Sequence, residues 1–248
     1  MRNLKVCWLS SGVSSFIAGW LERDTIDEFI YIDIADQHPD SIRFIADCEN
    51  SLSRPVTILR SDEYESVDNA IRAAGFIRNR FNHYYPCTNW LKKRVRKKWE
   101  YEHKDFDISY VWGFDAAETG RKERLIESMP NFYHDFPLID RSLSKQDAHG
   151  ICAALGIKRP AMYDLGYSNN NCIGCVRGGC GYWNKIRKDF PEVFASRAKL
   201  ERDIGNSILR DRENHCPLYL DELDPQAGRM EDEIMEDCSI FCQLEVGG

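Results

Sequence analysis

A long apolar run is the first thing missing from this chain of 248 residues. No stretch approaches the roughly 20 apolar residues of a membrane helix, so no membrane association is expected. The opening residues, Met1-Arg2-Asn3-Leu4-Lys5-Val6, reach Gly12 before any long apolar run develops, so no secretory leader is expected either. Internal repeats and low-complexity linkers are absent. Histidine is scarce: six are scattered without metal-ligand spacing, which excludes a histidine-built metal motif. Excess positive charge is lacking too. A net charge of −7 argues against a chain that coats nucleic acid with its whole surface, while leaving room for a local basic groove. Hydrophobic residues at 43% and charged residues at 29% exclude wholesale disorder, collagen and coiled coil.

What is abundant is cysteine, with ten. With no leader expected, a cytoplasmic, reducing compartment follows, where clustered cysteines signal metal or reactivity more often than disulfides. Cys172-x-x-Cys175 lies in a Gly/Asn/Cys-rich loop, Gly166 to Gly181, a geometry that lets two thiolates face one metal. Cys180 follows closely, and Cys238-x3-Cys242 forms a second pair. Cys7, Cys48 and Cys152 fall on strand or helix faces and read as small core residues. Cys216 has no assignment.

Strand and helix signals alternate through the first half. Strands are expected at Leu4–Leu9, Phe29–Ile34, Val56–Leu59 and Asp107–Trp112. Helices are expected at Ser14–Glu22, Pro39–Asn50, Tyr64–Ala74 and Glu118–Ser128. Strands separated by helices imply a parallel, doubly wound α/β sheet. Ser144 with Asp147 is a helix N-cap pattern before Ala148–Leu155, and a helical pair broken near Pro191 follows the cysteine loop. The expected division is an α/β domain over residues 1–160 and a cysteine-bearing, mostly helical and irregular extension over 161–248.

The loop Ser10-Ser11-Gly12-Val13-Ser14-Ser15 sits between the first strand and helix. A helix start offers unpaired N–H groups, and small residues let a phosphate approach them. The loop resembles the PP-loop, Ser-Gly-Gly-x-Asp/Ser-Ser, of the adenine nucleotide alpha hydrolase superfamily, with Ser11 for the first glycine and Ser14 for the frequent aspartate. Pro86-Cys87-Thr88-Asn89-Trp90-Leu91-Lys92 is similar to the Cys-Thr-x-x-Leu-Lys segment of PAPS reductase-like proteins. Gly113-Phe114-Asp115-Ala116-Ala117-Glu118-Thr119-Gly120-Arg121 resembles their Gly-x-Arg-x-x-Glu-x-x-x-Arg stretch, without its first arginine. Phe136-Pro137-Leu138-Ile139-Asp140 with Ser144–Asp147, and Tyr163–Tyr167 followed by Cys172–Cys175, complete the order. The resemblance to the PAPS reductase-like family spans roughly residues 4 to 200.

That resemblance implies an adenine nucleotide, ATP or PAPS, with phosphates at Ser10–Ser15. Asp33 would reach ribose or adenine, Lys92 and Gly113 lie in the shared segments, and Glu118, Arg121 and Lys122 would meet phosphate, Mg²⁺ or substrate. It implies a 4Fe–4S cluster, with zinc as the alternative, held by Cys87, Cys172, Cys175 and Cys180, with Cys238 and Cys242 competing for the remaining positions. Glu236-Asp237-Cys238-Ser239-Ile240-Phe241 is similar to the terminal Glu-Cys-Gly-Leu/Ile-His motif of sulfonucleotide reductases, with Asp237 inserted and serine and phenylalanine for glycine and histidine. Cys238 is then nucleophile or ligand, and Cys242 its resolving partner. The run Lys92, Lys93, Arg94, Arg96, Lys97, Lys98, between Trp90 and Trp99, suggests a nucleic-acid contact at residues 92–98.

Three functions are implied. The first is ATP α–β hydrolysis coupled to sulfur transfer, by analogy with the sulfur-transfer enzyme of DNA phosphorothioation, served by a sulfur-donor protein. The second is a PAPS reductase with a thioredoxin-like partner. The third is a metal-stapled module that binds a nucleotide or nucleic acid.

Overall fold

The computed structural model describes residues 2–79, 84–211 and 213–231. Five parallel strands form the central sheet: β1 (Arg2–Leu9), β2 (Glu28–Ile32), β3 (Val56–Leu59), β4 (Phe106–Val111) and β5 (Tyr133–Asp135), in spatial order β3-β2-β1-β4-β5. The chain winds outward from β1 to β3, then crosses back to lay β4 on the other side of β1. Two sequence neighbours thus diverge at the β1/β4 boundary, where a parallel sheet opens a crevice outside its carboxyl ends.

Strand alternation sends side chains to two apolar layers. Val6, Trp8, Ile30, Ile32, Tyr110 and Trp112 meet α3 (Val67–Ala74), α5 (Arg94–Glu102) and α6 (Thr119–Ser128). Cys7, Leu9, Phe29, Tyr31 and Val111 meet α1 (Val13–Leu21), α2 (Asp40–Leu52) and α8 (Lys145–Ala154). Helices cover both faces, as near-continuous apolar strands require. Cys7, Cys48 and Cys152 are core residues of the second layer. Burial pushes the Cys7 thiol up to about 12 and the Cys152 thiol to about 11.

The expected elements fall close to their places. Val56–Leu59 is a strand over those residues, and the helix expected from Tyr64 starts at Val67 because Ser66 caps it, accepting from the Asn69 N–H at 3.1 Å. Ser144 and Asp147 form a reciprocal capping box on α8. β5 is not expected from the sequence, being only three residues long. Short helices α4 (Pro86–Thr88), α7 (Pro137–Asp140) and α9 (Ala161–Asp164) connect larger elements.

After residue 160 the chain builds a third apolar cluster around the fully buried Trp183, with Met162, Tyr167, Tyr182, Ile186, Leu220 and Leu223. It contains α10 (Cys180–Asp189), α11 (Pro191–Ile204) and a two-residue hairpin, β6 (Leu209–Arg210) with β7 (Pro217–Leu218). Cys172, Val176 and Leu200 join the sheet's first apolar layer instead, so this segment also packs on the α/β core. Among the described residues, no helix is long and apolar enough to cross a membrane.

Candidate functional site

The carboxyl edge of the sheet gathers most of the residues singled out above. Ser10, Ser11 and Gly12 leave β1 and enter α1 at Val13. No side chain caps α1, so its first-turn N–H groups and partial positive charge face the edge. The Ser15 hydroxyl organises the loop: it donates to the Gly12 carbonyl at 2.9 Å and accepts from the Ser10 N–H at 2.9 Å, with Ser10 Oγ 3.0 Å away. Ser11 has φ 56°, a left-handed backbone, and is fully buried. Its hydroxyl bonds the Tyr31 phenol of β2 and the Asn170 amide. Two serines expected to donate to a phosphate thus shape the loop from within, and Ser14 is 9% exposed.

Gly113, at the end of β4, lies directly on this loop. A Cβ there would stand 2.4 Å from Ser15 Cα and 2.5 Å from Ser15 N. The glycine permits the close backbone approach of the segment after β4 to the start of α1. Beyond it, Glu118 accepts from the Asp115 N–H at 3.0 Å and pairs with Arg121 at 2.5 Å, while the Arg121 guanidinium lies 4.4 Å over the Phe114 ring.

Asp33 follows β2 and pairs with Arg60, which follows β3, at 2.6 Å. Both line a cavity of about 340 Å³ with Ile34, Ala35, Ser61, Tyr64, Glu65 and Leu91. That volume suits a nucleoside-sized ligand. A second, narrow pocket is lined by Cys87, Thr88, Lys92, Cys172, Cys175 and Val176, with Ile34 and Leu91 again in its walls. The nucleoside-sized cavity and the cysteine pocket therefore share two side chains.

Local contacts hold the cysteine loop in place. Tyr182 on α10 accepts from the Cys175 N–H at 2.9 Å and reaches the Cys172 carbonyl at 3.4 Å. Burial, then the neighbouring Cys175, raises the Tyr182 phenol's pKa well above its usual value. Gly178 is required beside it, since a Cβ would overlap the Tyr182 ring. Arg197 on α11 is buried, pairs with Asp36, and points Nε at the Gly174 carbonyl at 3.5 Å. Asp36 also accepts from the Val67 N–H at 2.6 Å, and its carbonyl accepts from Ile173 N–H at 2.8 Å. Asp36, Arg197, Tyr182 and Asn170 are positions of the candidate site that sequence reasoning missed. Only Asn170 carried a local signal, in three consecutive asparagines before Cys172, all buried.

Not every expected residue joins the site. Cys180 starts α10, packs against the third cluster and is not among the residues that line the pocket. Cys238 and Cys242 lie outside the described residues. Three soft thiols in one pocket suit a thiophilic metal. Among the described residues, no three Cys, His, Asp or Glu side chains are gathered tightly enough to hold an ion.

The basic run is divided by the fold. Asn89–Lys93 forms a π-helical turn, with the Arg94 N–H bonded to the Asn89 carbonyl. Lys92 and Arg96 are buried, Lys92 in the cysteine pocket and Arg96 paired with Glu100. Arg94 and Lys98 face outward, pairing with Glu63 at 2.7 Å and Asp62 at 2.6 Å. Trp99 sits in the core edge-on to Trp8, and Trp90 stacks on Tyr64 with ring centres 4.8 Å apart. No family model matches the chain, and no curated protein matches it.

Proposed function

We propose that the chain is an adenine-nucleotide-binding enzyme of sulfur chemistry, with the PP-loop and PAPS reductase-like character its motifs resemble. The supporting observation is that a nucleoside-sized cavity and a three-cysteine pocket share Ile34 and Leu91 at the carboxyl edge of a parallel sheet, the edge from which the uncapped helix α1 also starts. Neither feature alone calls for the other; together they support a reading in which a thiol lies next to a nucleotide.

In this reading the α1 N–H groups and Lys92 hold the phosphates of Mg²⁺-ATP, and Asp33 with Arg60 meets the nucleoside. An acceptor oxygen attacks the α-phosphorus, the bond to the bridging oxygen breaks, and pyrophosphate leaves with both electrons. A sulfur nucleophile then displaces AMP from the adenylated atom, so sulfur replaces oxygen without net oxidation. Partial positive charge at the helix start favours the departing pyrophosphate. A 4Fe–4S cluster at Cys87, Cys172 and Cys175 would require these thiols to draw closer than they stand, and further ligands beyond them. Such a cluster supplies one-electron and sulfur-binding chemistry, and zinc in its place a cross-link only. The outward cations of α5, Arg94, Lys97 and Lys98, form the surface for a nucleic-acid acceptor.

The test is anaerobic purification with an absorbance spectrum, then assays with Mg²⁺-ATP and with PAPS. Pyrophosphate release stimulated by DNA or RNA supports the proposal. Sulfite release from PAPS with thioredoxin, abolished by Cys238→Ser, replaces it with the reductase reading. A colourless zinc protein inactive on both nucleotides overturns both enzymes in favour of a stapled binding module.

A further inference from the structure

Asn170 is one of the few side chains that joins the C-terminal segment to the β1–α1 loop. It is 4% exposed. Its Nδ2 donates to the Ser11 carbonyl at 2.8 Å, with Ser11 Oγ at 3.1 Å and Ser41 Oγ of α2 at 3.0 Å. The Ser11 carbonyl can only accept, which fixes the orientation of the carboxamide. The other end of the amide is left over: Oδ1 is buried and has no hydrogen-bond partner among the described residues. A buried polar group with one end unsatisfied is not arranged for its own stability.

What the donating end does is specific. Ser11 is the residue of the loop with a left-handed backbone, φ 56°, a conformation that costs a non-glycine residue and persists only where neighbours impose it. The backbone carbonyl and the hydroxyl of this strained residue are both held by one amide. Gly12, next in the chain, is the N-cap of α1, so the conformation of Ser11 sets the direction in which the helix starts.

We infer that Asn170 is a positioning residue for the phosphate loop: it holds Ser11 left-handed and thereby presents the α1 N-terminus to the phosphates of a nucleotide. The inference rests on the nucleotide reading given above. It adds that the phosphate loop is completed by a residue of the C-terminal segment, two positions before Cys172, and not by the serine-glycine motif alone.

The test uses the fact that glycine takes a positive φ without support. Binding of Mg²⁺-ATP is measured by calorimetry for the full-length wild type, Asn170→Ala, Ser11→Gly and the double variant, with urea unfolding for each. Asn170→Ala is expected to bind about tenfold more weakly, the fold-change matching a left-handed residue that has lost its support. In the Ser11→Gly background, Asn170→Ala is expected to cost no more than about twofold relative to Ser11→Gly alone. Equal losses in both backgrounds would show simple packing and overturn the inference. Asn170→Asp, isosteric but turning an acceptor toward the Ser11 carbonyl, should behave as Asn170→Ala; wild-type affinity in that variant also overturns it. The unfolding cycle stands apart from the nucleotide. Destabilisation by Asn170→Ala should at least halve in the Ser11→Gly background, and additive effects reject the clamp. A wild type that binds neither Mg²⁺-ATP nor PAPS, with coupling intact, rejects the nucleotide reading while leaving the clamp on Ser11.

Discussion

Gly113→Ala places one methyl group where the segment after β4 meets the start of α1. The added carbon would lie 2.4 Å from Ser15 Cα, 2.5 Å from Ser15 N and 2.8 Å from the Ser14 carbonyl carbon. All three are backbone atoms, so no side chain can rotate away. Ordinary contacts begin near 3.4 Å, and the strand end must separate from the loop by about 1 Å. Overpacking of this kind costs about 1–3 kcal/mol, and the backbone overlap argues for the upper end. Displacing a binding loop by about 1 Å can also lower turnover by roughly a hundredfold. Urea unfolding and Mg²⁺-ATP-dependent pyrophosphate release measure the two effects separately. Gly150→Ala is the control: it lies in α8 with nothing within 4 Å of a new Cβ, and should gain about 0.5–1 kcal/mol. A Gly113→Ala protein within about 0.5 kcal/mol of wild type, with unchanged nucleotide affinity, would refute the close-approach argument.

Arg197→Met removes the guanidinium from the half-buried Asp36, which keeps the Val67 N–H, and should cost about 3 kcal/mol in urea unfolding while speeding alkylation of Cys172 and Cys175; an unaltered alkylation rate would separate Arg197 from the cysteine loop. His134 accepts from Trp112 Nε1 at 3.0 Å and its other nitrogen faces the Met129 carbonyl at 3.0 Å, and burial lowers its pKa below 6.5. Because the unfolded ring binds the proton more readily, this contribution to stability is present above pH 6.5 and is lost as pH falls toward the folded pKa; His134→Phe should flatten that limb of the stability–pH curve, and an identical curve would contradict the assignment. In thiol labelling followed by mass spectrometry at neutral pH, exposed Cys216 should react first, and Cys7 and Cys152 should stay unlabelled until unfolding. Labelling of Cys7 at the rate of Cys216 would show that the second apolar layer opens in the native state.

The sheet was readable because its strands are continuous apolar runs and its helices carry local stop and start signals, as at Ser66 and Ser144. β5 escaped because three residues, Tyr133–Asp135, carry no period. The loop's location was equally legible, since a serine-glycine stretch between strand and helix has few other structural homes. The use of its hydroxyls was not: Ser11 and Ser15 turn inward to partners such as Tyr31 and Asn170 that a local reading cannot supply. The basic run misleads for the same reason. Six cations in seven positions look like one surface, but a helix turns Lys92 and Arg96 inward and leaves Arg94, Lys97 and Lys98 outside. Asp36 and Arg197 meet across 161 positions, a pairing that no spacing rule encodes.

The bond between Ser11 and Asn170 also has a consequence for assembly of the molecule. It joins positions 159 apart, among the longest separations in the fold. Local turns and neighbouring strands form early, whereas contacts of high sequence separation wait for the intervening chain to be ordered. The β1–α1 loop, made before the cysteine segment, would therefore acquire its final shape only after that segment has docked. A chain that ends before Asn170 would carry the sheet without the bond that holds Ser11 left-handed.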